Sequence, residues 1–363
     1  GDVNTYAVFA ELARQLLAGA GRAGIIVPSG IATDDTTKHY FQDIMSARSL
    51  VSLYDFENRQ GLFPAVDSRV KFCLLTLSSP ARPAERAEFV FFAHQVEHLQ
   101  EEQRRFSLTA GEIALLNPNT RTCPVFRSRR DAQITLGIYR RVPVLVKEGP
   151  PEENPWGISF LRMFDMSNDS HLFRTRAQLE AEGWRLQGNV FVRRRAPKGG
   201  SAGDEERCLP LYEAKMIHHY DHRWATYEGD EVRNATEREK QDPSFTVLPR
   251  YWVAEDEVLR RLDPPALPAK AGQQRAPAGP RWLFGFRDIA RSTDERTGIF
   301  AVIPATAVGN KYPLLLGDMP AWFALGLQSA CSSLAFDFVV RQKLGGTTMN
   351  FFYVQQFPTP SPV

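Results

Sequence analysis

The sequence predicts an α/β first domain followed by a mixed α+β region, and three observations lead there. An amphipathic helical pattern at the N-terminus runs directly into "GIIVP", a wholly apolar run of the kind that forms a strand buried on both faces of a parallel sheet. Two more apolar runs, "SLVSLYDFEN" and "RVKFCLLTLSS", follow with a turn between them. Further on the periodicity is mixed, and stretches rich in Gly, Pro and charge interrupt it.

In "GDVNTYAVFAELARQLLAGAGRAGIIVPSG", Val8, Phe9, Leu12, Leu16 and Leu17 recur at helical spacing, and Gly19 with Gly21 supplies the stop. A second amphipathic segment, Phe41 to Met45, leads into the two later strands, with "RQGLFPAVDS" between them. A polar segment from His98 to Arg105 and the basic "SRRDAQITLGIYRRV" predict further helices. Breaks fall at "KEGPPEENPWG", from Lys147, and at "RRRAPKGGSAGDEER", Arg193 to Arg207. The Pro/Ala-rich "DPPALPAKAGQQRAPAGP" precedes a last block that starts at Trp282. No repeat with a period of roughly 20–50 residues is present. The expected division is 1–85, a connecting region 86–207, and 208–363.

With 363 residues, 43% hydrophobic and 24% charged, the chain has room for roughly two domains and a substantial core. Lys+Arg number 44 against 42 Asp+Glu, so bulk charge does not single out a nucleic-acid partner, although basic residues can cluster on one face. Cys73, Cys123, Cys208 and Cys331 are widely separated, with no Cys-x-x-Cys pair, which suits reduced thiols rather than a disulfide or zinc framework. No apolar stretch reaches the roughly 18 residues of a membrane span, and no basic-then-apolar leader is seen, so a cytoplasmic protein is expected.

The stretch "KMIHHYDHRWATY" packs His218, His219 and His222 around Asp221 in a chain with seven histidines. Imidazole and carboxylate suit zinc. On a strand, however, His218 and His222 face away from His219 and Asp221, and on a helix the His218/His222 pair lacks an intervening glutamate. No metal site is expected. Lys215, His219 and Arg223, interleaved with Tyr220, Trp224 and Tyr227, form a basic-aromatic strip suited to phosphates and base edges. In "RDIARSTDERT", Arg291 and Arg296 sit among acids, which makes either an internally neutralised turn or a set of phosphate ligands. In "RQKLGGTTMNFF", Lys343 and Asn350 offer donors beside Gly345 and Gly346, a pair that also suits a helix C-cap.

Several of these strings resemble one family. "GRAGIIVPSG" and "LYDFENRQGLFPAVDSRVKFCLLTL" are similar to the back half of the catalytic domain of gamma-class, TaqI-like and Eco57I-like, adenine-specific DNA methyltransferases of restriction-modification and phage-defence systems. "LPLYEAKMIHHYDHRWATY", "RDIARSTDERTGIFAVIPATAVGN" and "FDFVVRQKLGGTTMNFFYVQQFPTPSP" resemble the target-recognition region of the Eco57I-like branch. The resemblance implies that 1–85 is the rear part of a class I S-adenosylmethionine-dependent methyltransferase sheet and that 208–363 recognises double-stranded DNA. It also implies that Phe63 and Pro64 help to hold an extruded adenine, Phe63 packing on the base. The plainer alternative is that Phe63 caps the core at the end of a hairpin.

The family's Gly-rich cofactor loop and its Asn-Pro-Pro-Tyr/Phe loop do not occur here. The nearest string, "NPNT" at Asn117 to Thr120, has the wrong third residue and follows "GRAGIIVP" instead of preceding it. No catalytic residue is therefore expected in this chain, and S-adenosylmethionine is expected to bind the parent enzyme but not this chain. The missing catalytic portion would lie upstream or in a separate chain. The alternative is a non-catalytic DNA-binding specificity subunit that works with a catalytic partner.

Overall fold

The computed structural model describes residues 4–194, 205–262, 281–317 and 320–362. Most of the Arg193–Arg207 loop and the Pro/Ala-rich connector lie outside the described residues. The chain divides into two compact units, Gly1–Pro155 with Arg291–Thr297 and Leu334–Val363, and Trp156–Ala290 with Gly298–Ser333. This division is not the expected one: no unit boundary falls at 85 or 207, and 208–363 is shared between both units. The Pro/Gly-rich "KEGPPEENPWG" marks the actual junction, whereas the connections at 291, 298 and 334 carry no comparable signal.

The first unit begins with α1 (Thr5–Gln15), β1 (Arg22–Pro28), α2 (Gly30–Thr33), α3 (Lys38–Ser46), β2 (Leu50–Glu57), β3 (Lys71–Ser78), β4 (Ala87–Ala93), β5 (Phe106–Leu108), α4 (Ala110–Leu116) and α5 (Arg129–Tyr139). The sheet order is β1-β3-β2-β4-β5. β3 is antiparallel to both β1 and β2, and β2 is parallel to β4, so β1, β2 and β4 run the same way. Phe41, Ile44, Leu53, Leu75, Leu77, Phe89 and Phe106 fill the core beneath it. The two early helices, the three early strands and the basic helix α5 match the sequence expectation.

Two expectations need correction. "GIIVP" is not a central parallel strand buried on both faces; β1 is an edge strand paired antiparallel with β3, and Ile26 is 57% exposed. An apolar run looks the same whether its second face is covered within the chain or left open. His98 to Arg105 is not a helix either. It forms a short 3-10 turn, Val96–Gln100, because the segment has no apolar stripe to bury against the sheet.

The second unit holds β6 (Ser159–Leu161), α6 (Arg176–Ala181), β7 (Arg185–Gln187), β8 (Val190–Arg194), β9 (Glu205–Tyr212), β10 (Ala225–Glu228), β11 (Glu231–Asn234), α7 (Glu237–Gln241), β12 (Trp252–Ala254), α8 (Glu255–Leu262), β13 (Trp282–Phe286), β14 (Phe300–Pro304), β15 (Ala307–Val308), β16 (Leu314–Leu316) and α9 (Ala321–Cys331). One sheet runs β12-β9-β8-β7 with β15 alongside β9, and another runs β14-β13-β16-β6. Met163, Phe164, Leu211, Met216, Val308 and Tyr312 share its main core. This is mixed α/β architecture.

The chain then returns to the first unit with α10 (Leu334–Lys343) and α11 (Phe351–Gln355). Among the described residues, no single helix is long and apolar enough to cross a membrane.

Candidate functional site at the carboxyl ends of the parallel strands

In open α/β sheets, ligands gather beyond the carboxyl ends of parallel strands. Here those ends are Pro28, Glu57 and Ala93, and the antiparallel β3 starts beside them at Lys71. The register between β2 and β4 slips after Tyr54↔Val90, which makes a bulge that leaves Phe92 in the left-handed region at φ 57°. A phenylalanine seldom adopts that conformation, and strained residues of this kind concentrate at functional sites.

Asp55 holds the bulge in place. The residue is 2% exposed, and its carboxyl group takes a hydrogen bond from the Ser29 hydroxyl and accepts the Phe92 N–H at 3.0 Å. Burial raises its pKa, against the opposing pull of Ser29, the Phe92 N–H and Lys71. Two residues on, Glu57 meets Lys71 at 3.2 Å, Arg59 at 2.7 Å and His94 at 3.2 Å. Burial works to raise the Glu57 pKa, but Lys71, with Arg59 and His94, outweighs it and the net shift is downward. Lys71 and Arg127 also stand 4.6 Å and 4.1 Å from the Phe92 ring centre, a cation–π arrangement.

The loop between β2 and β3 presents Phe63. Buried Asn58 organises it: its side chain donates to the carbonyls of Phe63, at 3.0 Å, and Val66, at 2.8 Å, and accepts the Phe63 N–H at 2.9 Å. Gly61 closes the preceding turn at φ 66°, where a side chain would be strained. Phe63 stands edge-on to Phe72 at 4.9 Å, and Phe72 stacks on Phe56 at 5.4 Å. Yet Phe63 remains 39% exposed, with Pro64 also exposed and Leu62, Val66 and Val70 open around it. The ring is therefore an apolar ledge at the strand ends and not a plug for the core.

The other expected site residues are scattered over the two units. In the second, the histidine stretch is neither strand nor helix between Met216 and Ala225. It is a turn closed by His218 N–H to the Asp221 carbonyl, at 2.7 Å, and by the reciprocal bond at 3.0 Å, with Tyr220 at φ 55°. The alternation of faces that a strand would impose does not apply. His218 lies against Trp224 at 4.4 Å, His219 Nδ1 is 3.1 Å from the Ser332 hydroxyl, and His222 is held below its usual pKa, chiefly by burial and then by Arg223. Among the described residues, no three His, Cys, Asp or Glu side chains gather as a ligand set. Lys215 is exposed, 3.4 Å from Glu213 and 4.9 Å from the Tyr227 ring centre. Arg223 is committed internally, donating to the carbonyls of Lys240, Asp242 and Phe245.

In the first unit, Arg291 is exposed and its N–H donates to Asp294 at 2.9 Å, while Arg296 faces Asp337 of α10 at 3.9 Å. This is close to the internally neutralised turn that the sequence allowed. Lys343 has to be corrected as a DNA contact. It is 3% exposed, and its Nζ lies 2.7 Å from the Leu116 carbonyl, 2.8 Å from Tyr139 Oη and 2.8 Å from the Gln356 carbonyl. Half-buried Asn350 sits at the N-cap of α11. The "NPNT" segment is structural: Gln356 Oε1 accepts the N–H groups of Asn119, at 2.9 Å, and Thr120, at 3.1 Å.

Asp55, Glu57, Lys71, Phe92, His94 and Arg127 were missed by the sequence reading. The spacing of Asp55 and Glu57, two acids on one face at the end of an apolar strand, was the signal that could have found the first pair.

No protein-family model matches the chain, and no curated protein matches it. Among solved structures it is similar to the type IIG restriction endonuclease BpuSI, at 12% identity and a TM-score of 0.34, over 100% of this chain and 42% of that one. The chain thus spans less than half the length of that enzyme.

Proposed function

We propose that this chain is the rear wall and DNA-recognition portion of a site-specific DNA adenine methyltransferase of the restriction-modification kind. Its substrate in that reading is double-stranded DNA, and Phe63 with Pro64 receives the adenine once it has left the stack. The observation that carries the proposal is the Phe63 ledge. A large aromatic ring is held by Asn58 at the carboxyl ends of parallel strands and left more than one-third open. An extruded base loses its stacking partners, and an open aromatic face supplies a replacement.

The methyl donor belongs, in this reading, to a portion outside the chain. The space beside Gly30, just past β1, is taken up by the Asp34 carboxylate, 2.4 Å from where a Cβ would stand, and so is not left open for a cofactor. The open outer edge of β1, with exposed Ile26, and the exposed α1 residues Val8, Phe9, Leu12 and Leu16 suit an α/β catalytic portion that would continue the sheet. The strand-end residues then have defined tasks: Asp55 fixes the bulge, Glu57 and Lys71 set the charge below the ledge, and Phe63 offers the apolar face.

The test is single-turnover methylation of a target duplex by the parent enzyme carrying Phe63→Ala, with duplex affinity and melting temperature measured alongside. Methylation should fall about 5- to 150-fold, the equivalent of roughly 1–3 kcal/mol of stacking, while duplex affinity changes little. Unchanged methylation by a folded variant would remove Phe63 from the base site.

A further inference from the structure

We propose that a second pocket in the first unit, formed by Arg104, Arg127, Arg129 and Arg130 above Phe92, holds backbone phosphates of a nucleic-acid strand. The inference rests on the DNA reading above and adds a contact surface to it.

The pocket encloses about 560 Å³ and is lined by four arginines, with Phe92 and polar side chains completing the wall and no acidic residue among them. Two of the arginines have carboxylate partners: Arg104 pairs with Glu101 at 2.6 Å, and Arg129 with exposed Glu102 at 3.2 Å. The other two have none among the described residues. Arg127 spends its guanidinium on the Phe92 ring and, at 3.2 Å, on the Ser292 hydroxyl, and Arg130 is exposed and makes no ion pair with a described carboxylate. Ser128 caps α5 and accepts the Asp131 N–H at 3.1 Å, while Asp131 is engaged by the Ser128 hydroxyl at 2.8 Å.

Four guanidinium groups around one opening repel each other, so the arrangement favours an anion with several negative oxygens. Arginine's planar fork pairs with phosphate through two parallel hydrogen bonds, which a lysine cannot reproduce. The volume is larger than one phosphate needs, which suits successive phosphates of a strand. The bulge links this pocket to the ledge site, since Phe92, pinned by Asp55, forms its wall and also has Lys71 beside its ring at 4.6 Å.

The experiment is fluorescence anisotropy with a labelled oligonucleotide duplex and its single strand over a salt series. It compares the unaltered chain with Arg127→Gln/Arg130→Gln and with the charge-keeping Arg127→Lys/Arg130→Lys. The glutamine variant should bind roughly 10-fold more weakly and lose about one unit of log–log salt slope per arginine removed, with an unchanged melting temperature. The lysine variant should keep most of the slope. Equal affinity and slope for parent and glutamine variant would overturn the pocket alone, whereas no binding by the unaltered chain would overturn the DNA reading and the pocket together. A third arm adds inorganic phosphate without DNA. If phosphate raises the melting temperature of the parent but not of the glutamine variant, and oligonucleotide affinity is the same for both, the ligand is a free phosphate and the strand assignment fails.

Discussion

Asp55 accepts the backbone N–H of Phe92 at 3.0 Å, and through this bond β2 fixes the left-handed residue of β4. The folded Asp55 pKa is raised, chiefly by burial, so in that pH range the folded state binds more protons than the unfolded one. Its contribution therefore weakens as pH rises from the unfolded pKa through the folded one. Asp55→Asn keeps an acceptor for Phe92 without a titrating group, so melts between about pH 4 and pH 8 should lose that slope. Asp55→Ala leaves the Phe92 N–H buried without its acceptor and should cost about 1–3 kcal/mol at every pH. Equal losses from both variants would show that the carboxyl group itself, and not any acceptor of its shape, holds the bulge.

Glu57 shifts the other way. Its pKa lies below the ordinary 4.5 because Lys71, Arg59 and His94 outweigh burial. The stability it adds is present above the unfolded value and is lost as pH falls through the folded one. In an acid titration followed by circular dichroism, Glu57→Gln should be less stable than the parent near neutrality and converge with it in acid. Parallel curves would contradict the pairing.

Phe63 and Phe72 touch, yet their truncations should differ. Phe72 is buried and stacked on Phe56, so Phe72→Ala should cost about 3–5 kcal/mol, as large-to-small core changes do. Phe63→Ala removes an edge contact and partly open surface and should cost about 1 kcal/mol. Denaturant melts of the two single variants decide this, and a Phe63→Ala loss as large as that of Phe72→Ala would make Phe63 a core residue.

Lys343 is the clearest case of a charged residue out of place. Burial drives its amine well below the ordinary 10.5, and burial also keeps Tyr139 protonated. Nζ donates to the Leu116 and Gln356 carbonyls and to Tyr139 Oη, whose own O–H donates to the Gln356 carbonyl, yet burial still favours the deprotonated amine. Because the unfolded state then binds the extra proton, stability rises with pH between the folded and unfolded values. Lys343→Met should abolish that rise and cost about 1–3 kcal/mol for each polar group left unsatisfied. Chemical denaturation from neutral pH to about pH 10 measures both effects.

The elements of the first unit up to β3 were legible because short apolar runs and helical spacing report local structure. The edge position of β1 was not, since hydrophobicity in a strand does not say whether its second face is covered by the same chain. The Phe63 ledge was reachable only through resemblance, as an aromatic residue in a Gly-Pro loop has no periodicity to read. Lys343 misled for a related reason: its nearest partners, Leu116 and Tyr139, lie more than 200 positions away, and no local pattern announces a buried lysine. The arginine pocket likewise joins Arg104 to the start of α5 across the β5–α4 segment, so composition along the chain never shows four like charges together.

The first unit is assembled from Gly1–Pro155, Arg291–Thr297 and Leu334–Val363. Its sheet can be synthesised early, but the places for Asp337, Lys343 and Gln356 stay empty until the ribosome has completed the second unit. During that interval the Leu116 and Thr120 region lacks the late-arriving Lys343 and Gln356 that cap it. At typical synthesis rates of about 5–20 residues per second, the roughly 180 residues between Pro155 and Leu334 impose a delay on the order of ten seconds or more. Over that time the first unit lacks its last segment, whereas the second unit, enclosed within it in sequence, is complete and can condense first.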